Sequence, residues 1–293
     1  MAKIAPTTIP LIFCLVIQTG AVLYEPFPQG YAMGNLGTII ADNEPSGRSP
    51  FLSAAYMSDT LALGISASVT TYYDDMDNYG NRHFASVTGG GWCAVKRVVC
   101  KLGITNFDAL GAYSEQTGFL SCAVRLFRGM RIGTELYGTR LSVNSLIEEP
   151  RTLGEAGFSL WIPIRKVSFT ASVNHLTVKS THVDGSNPPL SIQCGLHTDQ
   201  HILGAQGIRF EIRPYYKHPV TLAIGQEFRF SRYVAIHAAV SNNPLFIGIG
   251  CAVFIRDGSA CAAMVNHPVL GWSRGFSAEY GGNPSFLKKR SEK

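Results

Sequence analysis

The sequence has little charge and no long apolar run. Only 15% of the 293 residues are Asp, Glu, Lys or Arg, whereas a soluble domain usually carries about a quarter. After Ala21 the chain offers no continuous apolar stretch of the length that a spanning helix needs, about 20 residues, which excludes transmembrane helices. The formal net charge of +5 is too small to indicate a nucleic-acid-binding protein.

Several signatures of catalysis are also missing. The sequence has no HExxH zinc-protease motif, no P-loop and no GxGxxG dinucleotide motif. His175 and His237 fall within predicted strands, but no set of nucleophile, base and orienting group can be named around either of them. We therefore expect a protein that is not an enzyme and that has no cofactor and no metal.

The N-terminus has the pattern of a secretory signal. Lys3 precedes a continuous apolar run at 9–17, and Thr19-Gly20-Ala21 offers the small residues that a signal peptidase reads. This run is too short to cross a bilayer as a helix. We expect residues 1–21 to be a signal peptide cleaved near Ala21, without a lipid anchor because Cys14 lies inside the apolar run.

Six cysteines follow the predicted signal peptide. An oxidising compartment would permit disulfides, and two pairs, 93/100 and 251/261, each flank a predicted hairpin. However, no CxxC pair occurs, and most of these cysteines occupy apolar strand positions. Free thiols, buried or facing lipid, are the favoured interpretation for Cys93, Cys100, Cys122, Cys194, Cys251 and Cys261.

Alternation with a period of two residues dominates the rest of the chain and indicates β-strands. Within 61–73 the odd positions begin with Leu, Leu, Ile, Ala and Val, whereas the even positions between them are Ala, Gly, Ser, Ser and Thr. The same scheme recurs at 120–126, 130–136, 208–213 and 222–230. One face suits lipid and the other a polar interior. A soluble β-sandwich is the alternative, since it also alternates but keeps its charged side in water.

The connections between the strands favour a barrel, because short and long ones alternate as they do in outer-membrane barrels. Short connections are predicted near 97, 128–129, 165–166, 199–200, 231–232 and 256–258, and longer ones near 74–83, 107–116, 142–151, 179–189, 214–219, 242–244 and 266–271. Strands are predicted near 61–73, 84–96, 98–106, 117–127, 130–141, 152–164, 167–178, 190–198, 201–213, 220–230, 233–241, 245–255, 259–265 and 272–280.

The predicted fold is therefore all-β, a transmembrane antiparallel β-barrel of about fourteen strands over residues 61–280, with twelve as the alternative count. An even count places both ends of the barrel in the periplasm. The segment 22–60 is rich in Gly, Pro and small residues and either runs loosely on the periplasmic side or plugs the lumen. Residues 281–293 read as a basic periplasmic tail.

Charged residues at alternate strand positions should point into the lumen, because an Arg facing lipid at mid-membrane costs about 2–4 kcal/mol. Positive and negative charges are interleaved, which favours a salt-bridge network that rigidifies the barrel over a charged wall that guides a solute. The residues of this predicted network are Arg125, Arg131, Glu135, Arg209, Glu211, Arg213, Glu227 and Arg229.

Two possible metal sites are weak. Residues 75–80 resemble the start of a calcium loop, but Tyr79 stands where a ligand is needed and Ser86 stands at the twelfth position in place of Glu. His197 and His201 flank a predicted turn instead of sharing a helix face. A solvated acidic loop is the better interpretation of the first, and we predict metal at neither.

Short segments spread over most of the mature chain match one known group of proteins. They comprise Met33-Gly34, Ala41-Asp42, Ser49-Pro50, Ala171–Asn174, Gly225–Phe228, Asn243-Pro244, Gly248, Gly250, His267, Pro268, Leu270, Gly271, Phe276, Ser277 and Tyr280. These segments resemble PorV/PorQ-type outer-membrane proteins, which are relatives of the fourteen-stranded FadL-type fatty-acid transporters.

The resemblance implies a non-catalytic outer-membrane protein of type IX secretion that holds or anchors secreted cargo at the cell surface. Its expected partners are outer-membrane lipid, cargo proteins and components of the secretion machinery, with no nucleic acid. The alternative is a FadL-like channel in which residues 22–60 plug the lumen and small hydrophobic solutes leave sideways. A purely structural membrane protein is the third possibility.

Overall fold

The computed structural model describes Ala55 and residues 63–72, 84–109, 111, 113–143, 151–165, 167–180, 190–200, 204–212, 220–231, 233–242, 245–255, 258–267 and 271–282. These residues form fourteen strands. In chain order they are β1 Leu63–Tyr72, β2 Phe84–Val95, β3 Val98–Ala109, β4 Tyr113–Arg125, β5 Arg131–Val143, β6 Arg151–Ile164, β7 Val167–Ser180, β8 Ser191–Gln200, β9 Gly204–Ile212, β10 Thr221–Ser231, β11 Val234–Ser241, β12 Phe246–Ile255, β13 Gly258–His267 and β14 Gly271–Gly282.

The strands make one closed antiparallel barrel. Each strand pairs with its neighbours in the sequence, and β1 pairs with β14 from Leu63↔Gly282 to Thr71↔Arg274. The predicted fold class is confirmed. Among the described residues no helix is long and apolar enough to cross a membrane.

The two faces of the wall have opposite character. In β1 the odd positions from Leu63 to Val69 are exposed, whereas Ser66, Ser68 and Thr70 are buried. The same division holds around the barrel, with large apolar side chains outside and mainly small polar ones inside. A surface of this kind would be costly in water and favourable against hydrocarbon. The outer face is therefore suited to lipid.

One predicted connection is wrong in length. The long loop expected over 107–116 is reduced to 110–112, because β3 continues to Ala109 and β4 begins at Tyr113. Asp108 Oδ1 accepts a hydrogen bond of 2.8 Å from the amide of Gly111, which has a positive φ of 67°. These features allow the chain to reverse tightly.

Phe107 supports the end of the barrel by packing edge-on against Tyr72, with ring centroids 5.8 Å apart.

The short turns share an unusual backbone feature. Lys96, Arg128 and Arg165 have positive φ values of 58°, 53° and 57°. All three are exposed and lie in connections at the same end of the barrel, between β2 and β3, β4 and β5, and β6 and β7. The left-handed conformation normally favours Gly or Asn. We call this end, with its brief connections 96–97, 126–130, 165–166, 201–203, 232–233 and 256–257, the short-turn end.

The C-terminal boundary also differs from the expectation. Strand β14 continues to Gly282, since Gly281 and Gly282 pair with Gly64 and Leu63 of β1. The tail therefore begins two residues later than predicted. The calcium-like segment 75–80, the N-terminal segment apart from Ala55, and the tail from 283 lie outside the described residues.

A tryptophan covers the seam where the barrel closes. Trp92 of β2 is buried on the inner face and lies directly over Gly64 of β1 and Gly281 of β14. A Cβ added at Gly64 would lie 1.9 Å from Cζ2 of Trp92, and one at Gly281 would lie 2.8 Å from the same atom. Only glycine leaves room for the indole there, so these two glycines allow one large side chain to contact the first, second and last strands together.

The first prediction tests this seam. Gly64→Ala places a methyl group inside the space that the indole occupies, and overpacking of this kind typically costs about 1–3 kcal/mol. Gly138→Ala on β5 is the matched control, because a Cβ there meets nothing within 4 Å. Urea unfolding in phospholipid vesicles should show a loss of stability for Gly64→Ala alone. Equal losses in the two variants would contradict this account of the seam.

The second prediction tests the outer face by depth. Ile104, in the middle of β3, and Val95, at the short-turn end of β2, are both exposed, by 59% and 63%. An Arg that faces lipid costs about 2–4 kcal/mol at the midplane and about 0–1 kcal/mol near the interface. Ile104→Arg should therefore lower the unfolding free energy in vesicles by that larger amount and Val95→Arg by much less. Similar effects at both positions would show that the outer face does not meet hydrocarbon.

Candidate functional site in the barrel lumen

One row of inner-face residues crosses five neighbouring strands. In register, Trp92 of β2 pairs with Lys101 of β3, Lys101 with Ser121 of β4, Ser121 with Glu135 of β5, and Glu135 with Gly157 of β6. Lys101 is 2% exposed and Glu135 3%. These two opposite charges lie two strands apart on the row, with Ser121 between them, and within the described residues the Lys101 Nζ makes no hydrogen bond. We call this set the charged row.

The acidic end of the charged row accepts a tyrosine hydrogen bond and has a second buried carboxylate in the next register row. The hydroxyl of Tyr137 donates to Glu135 Oε2, and Glu155, which pairs with Tyr137 in register, is also buried. A Cβ at Gly157 would lie 3.4 Å from Glu135 Oε2, so glycine keeps space open in front of the carboxylate. A buried carboxylate is stable only when such partners compensate for its lost hydration.

Irregular pairing between β6 and β7 brings a further polar group to this place. The register shifts between Gly154 and Glu155 and again between Ala156 and Phe158. Such bulges re-aim side chains. Here Asn174 Oδ1 lies 3.3 Å from the position of a Cβ on Gly157, and its Nδ2 donates to Ser172 Oγ at 3.2 Å.

A residue of the segment before β1 lies beside this part of the wall. Ala55 is fully buried, and its backbone amide donates to Ser159 Oγ on the inner face of β6 at 3.3 Å. Ser159 is two residues beyond Gly157 on the same face. The chain at Ala55 is therefore inside the barrel, next to the end of the charged row.

The predicted network residues of β4 and β5 have different surroundings. Arg131 is buried, pairs with Trp161 across β5 and β6, and places its guanidinium 4.6 Å from the centroid of the Trp161 ring. Arg125 is exposed at the end of β4 and is not one of the buried charges. It is the last residue of its strand, so a long side chain there reaches water at the short-turn end.

A second buried pair lies on the far side of the barrel. Glu227 of β10 and His237 of β11 are directly opposite in register, and His237 Nε2 lies 3.0 Å from Glu227 Oε2. The exposed fractions are 2% for the glutamate and 0% for the histidine. Removing one member of a buried pair strands the other, which is more damaging than replacing both.

The remaining predicted charges are located by backbone only. Arg209 and Glu211 pair with Ala223 and Thr221 across β9 and β10, and Arg229 pairs with Ala235 across β10 and β11. Their side chains, and Arg213 as a whole, lie outside the described part of the structure. The single network over all eight residues stays a prediction. The described charges form separate groups, around the charged row and around Glu227.

Sequence reasoning missed several buried ionisable side chains that belong to the same inner face. They are Lys101, Glu155, His237 and Glu279. The period-2 pattern already contained the signal, since each of these residues alternates with apolar outer positions. Lys101, for example, stands between the outward-facing Cys100 and Leu102.

Three neighbouring strands carry a different kind of inner surface. Three consecutive register rows of inward positions in the middle of β11, β12 and β13 hold no side chain larger than valine except His237. All are buried. We call this surface the small-residue strip; it consists of Ala235, His237, Ala239, Gly248, Gly250, Ala252, Cys261, Ala263 and Val265.

The sequence Gly271-Trp-Ser-Arg-Gly275 has the GxSxG spacing of a nucleophile elbow, but its setting does not fit that role. The elbow requires a sharp turn from a strand into a helix, whereas all five residues lie within β14. Ser273 is on the inner wall, three strands from His237. Strand spacing puts them roughly 14 Å apart along the wall, too far for proton transfer between them.

Comparisons with known proteins give a result at the level of the fold. No protein-family model matches the sequence, and no curated protein matches it. Among solved structures, one titled "CymD monoaromatic hydrocarbon channel" matches with a TM-score of 0.67 and 12% identity, covering 89% of this chain and 98% of that one. A Pseudomonas aeruginosa FadL homologue matches with a TM-score of 0.60 and 11% identity, covering 87% of this chain and 98% of that one.

Identities this low establish architecture and nothing finer. Both neighbours are matched over nearly their whole length, so the likeness includes the complete barrel and not one hairpin repeat. The chain has the barrel fold of the FadL-like channels.

Proposed function

We propose that this protein is a non-catalytic channel of the bacterial outer membrane that conducts small hydrophobic solutes. This is the alternative interpretation of the sequence, and the comparisons support it better than the secretion role. One of the two fold neighbours is titled a monoaromatic hydrocarbon channel and the other a FadL homologue. The apolar outer face and the signal-like N-terminus support the location.

The small-residue strip is the observation that carries the proposal. An apolar solute gains by leaving water only if the wall it meets is also apolar. The strip provides such a wall across β11–β13, because eight of its nine positions are Gly, Ala, Val or Cys. Short side chains also leave more of the lumen cross-section open than the Trp and Phe side chains on β2 and β4 do.

The charged row would act on the opposite wall. Its buried charges at Lys101 and Glu135 favour polar neighbours over apolar ones, and a hydrophobic solute gains nothing from contact with them. We infer that the polar wall holds the N-terminal segment in place while the small-residue strip lines the passage. The contact between Ala55 and Ser159 supports a plug formed by residues 22–60 over a segment lying loosely on the periplasmic side.

The PorV/PorQ-type role in type IX secretion stays a prediction of the sequence resemblance. The fold neighbours favour the channel, and the cargo and machinery partners rest on the resemblance alone. The two functions differ in what they require of the molecule. Cargo binding depends on the outer loops, whereas conduction depends on the inner wall.

The third prediction separates the inner wall from the outer one. Ala263 faces the lumen in the middle of the strip and its neighbour Ala262 faces outward. Ala263→Trp should reduce the protein-dependent uptake of toluene at least tenfold, since the indole fills the passage; the vesicles carry a lipopolysaccharide outer leaflet, because toluene crosses a plain phospholipid bilayer unaided. Ala262→Trp, the matched control, adds the same side chain on the lipid side and should leave uptake unchanged.

Heat-modifiable migration on a gel would first show that both variants form barrels. Toluene uptake no faster than in protein-free vesicles would overturn the channel proposal, as would equal uptake by the two variants. Loss of cargo display after loop changes, without any toluene uptake, would favour secretion.

The fourth prediction concerns the plug. Deleting residues 22–60 from the mature chain should open the lumen to small hydrophilic solutes, so that vesicles release trapped glucose faster than with the full-length protein. Ser159→Ala removes only the hydroxyl that accepts from Ala55 and should give a smaller increase. Unchanged glucose release after the deletion would show that the segment does not obstruct the lumen.

A further inference from the structure

Three of the six described cysteines occupy one row on the outer face. Cys93 of β2 pairs in register with Cys100 of β3, and Cys100 pairs with Cys122 of β4. The residues flanking each of them, such as Val99 and Lys101 around Cys100, are buried on the inner face. The three thiols therefore point to the same side of the sheet, outward.

Two of these thiols are in contact. Cys100 Sγ and Cys122 Sγ lie 2.7 Å apart, and both side chains are half-buried. Residues directly opposite in an antiparallel pair have Cα atoms about 4.5–5.5 Å apart. A disulfide joins Cα atoms that are about 4.4–6.8 Å apart. A bond between these two cysteines therefore requires no movement of the backbone.

The row lies close to the short-turn end. Cys93 is two residues from the end of β2 and Cys122 is three from the end of β4, which corresponds to roughly 7–10 Å of strand. Lys96 and Arg97 of the neighbouring connection and Arg125 at the end of β4 are exposed. Water and a dissolved oxidant can approach the thiols from this edge, which a site at mid-membrane would not allow.

We propose that Cys100 and Cys122 form a disulfide that staples β3 to β4 when the protein meets a dithiol–disulfide oxidant. The thiolate of one cysteine attacks the oxidant's disulfide and releases one oxidant thiolate, giving a mixed disulfide. The second cysteine thiolate then attacks the protein sulfur of that mixed disulfide and releases the second oxidant thiolate. Two electrons pass from the protein to the oxidant, and the two thiol protons end on the oxidant's dithiol.

Cys93 provides the competing pairing, because it stands opposite Cys100 on the other side. The contact between the Cys100 and Cys122 sulfurs selects their pairing over that with Cys93. Cys261 faces the lumen and therefore lies on the opposite side of the sheet from the outer row. Its thiol donates to the carbonyl of Ala262 at 3.8 Å. The proposal is thus limited to one pair among the cysteines.

The test uses the mature full-length protein, refolded in detergent micelles and treated with oxidised glutathione. Free thiols are then alkylated, and peptides are identified by mass spectrometry without reduction. The wild type and Cys93→Ser should each lose two reactive thiols and yield one peptide pair linking Cys100 to Cys122. The Cys100→Ser and Cys122→Ser variants should lose no reactive thiols to an internal disulfide. If serine disturbs folding, alanine replaces it at either position.

The wild-type linkage decides the result by itself. Reduced thiols throughout, or a link between Cys93 and Cys100, would overturn the proposal. Because the readout is a covalent bond in the purified protein, its failure would leave the channel proposal untouched, and absence of solute uptake would not affect the disulfide.

Discussion

Closure of the sheet is the constraint on which the rest of the molecule depends. Within hydrocarbon an unpaired backbone amide or carbonyl costs several kcal/mol, and an open sheet would expose a row of them at each edge. The pairing of β1 with β14 removes both edges. The Trp92 indole over Gly64 and Gly281 adds a side-chain contact to this last pairing.

Once the sheet is closed, alternation dictates where every side chain goes. Outward residues meet lipid and become apolar, and inward residues share a narrow lumen in which charges must find partners. That requirement explains why Glu227 faces His237 and why Glu135 accepts a hydrogen bond from Tyr137. It also explains the contrasting strip on β11–β13. Where a wall contains small apolar residues, no such partner is required.

The sequence predicts most of the fold because period 2 is a local signal that closure reinforces. The strand count, the antiparallel order and the two faces all follow from it. The loop expected over 107–116 was too long, since the turn depends on one Asp108 side chain and on the positive φ of Gly111, which periodicity does not encode. The position of Ala55 against Ser159 was equally beyond sequence reasoning. Residues 22–60 have no repeating pattern, and a contact between positions 104 residues apart arises only in the folded barrel.

The same constraint explains why the short sequence matches to PorV/PorQ-type proteins indicate a barrel fold more firmly than they indicate a function. Gly248 and Gly250, which belong to the PorV/PorQ-like segment, lie on the inner wall beside His237, where a side chain would fill the lumen. Phe276 and Tyr280 from the closing segment are exposed on the outer face of β14 by 56% and 64%. These residues serve the wall itself, so different barrels are expected to retain them for the same physical reasons. Function then has to be encoded in the features that closure leaves free, which are the size of the inward side chains and the segment that enters the lumen. The channel proposal rests on these two features.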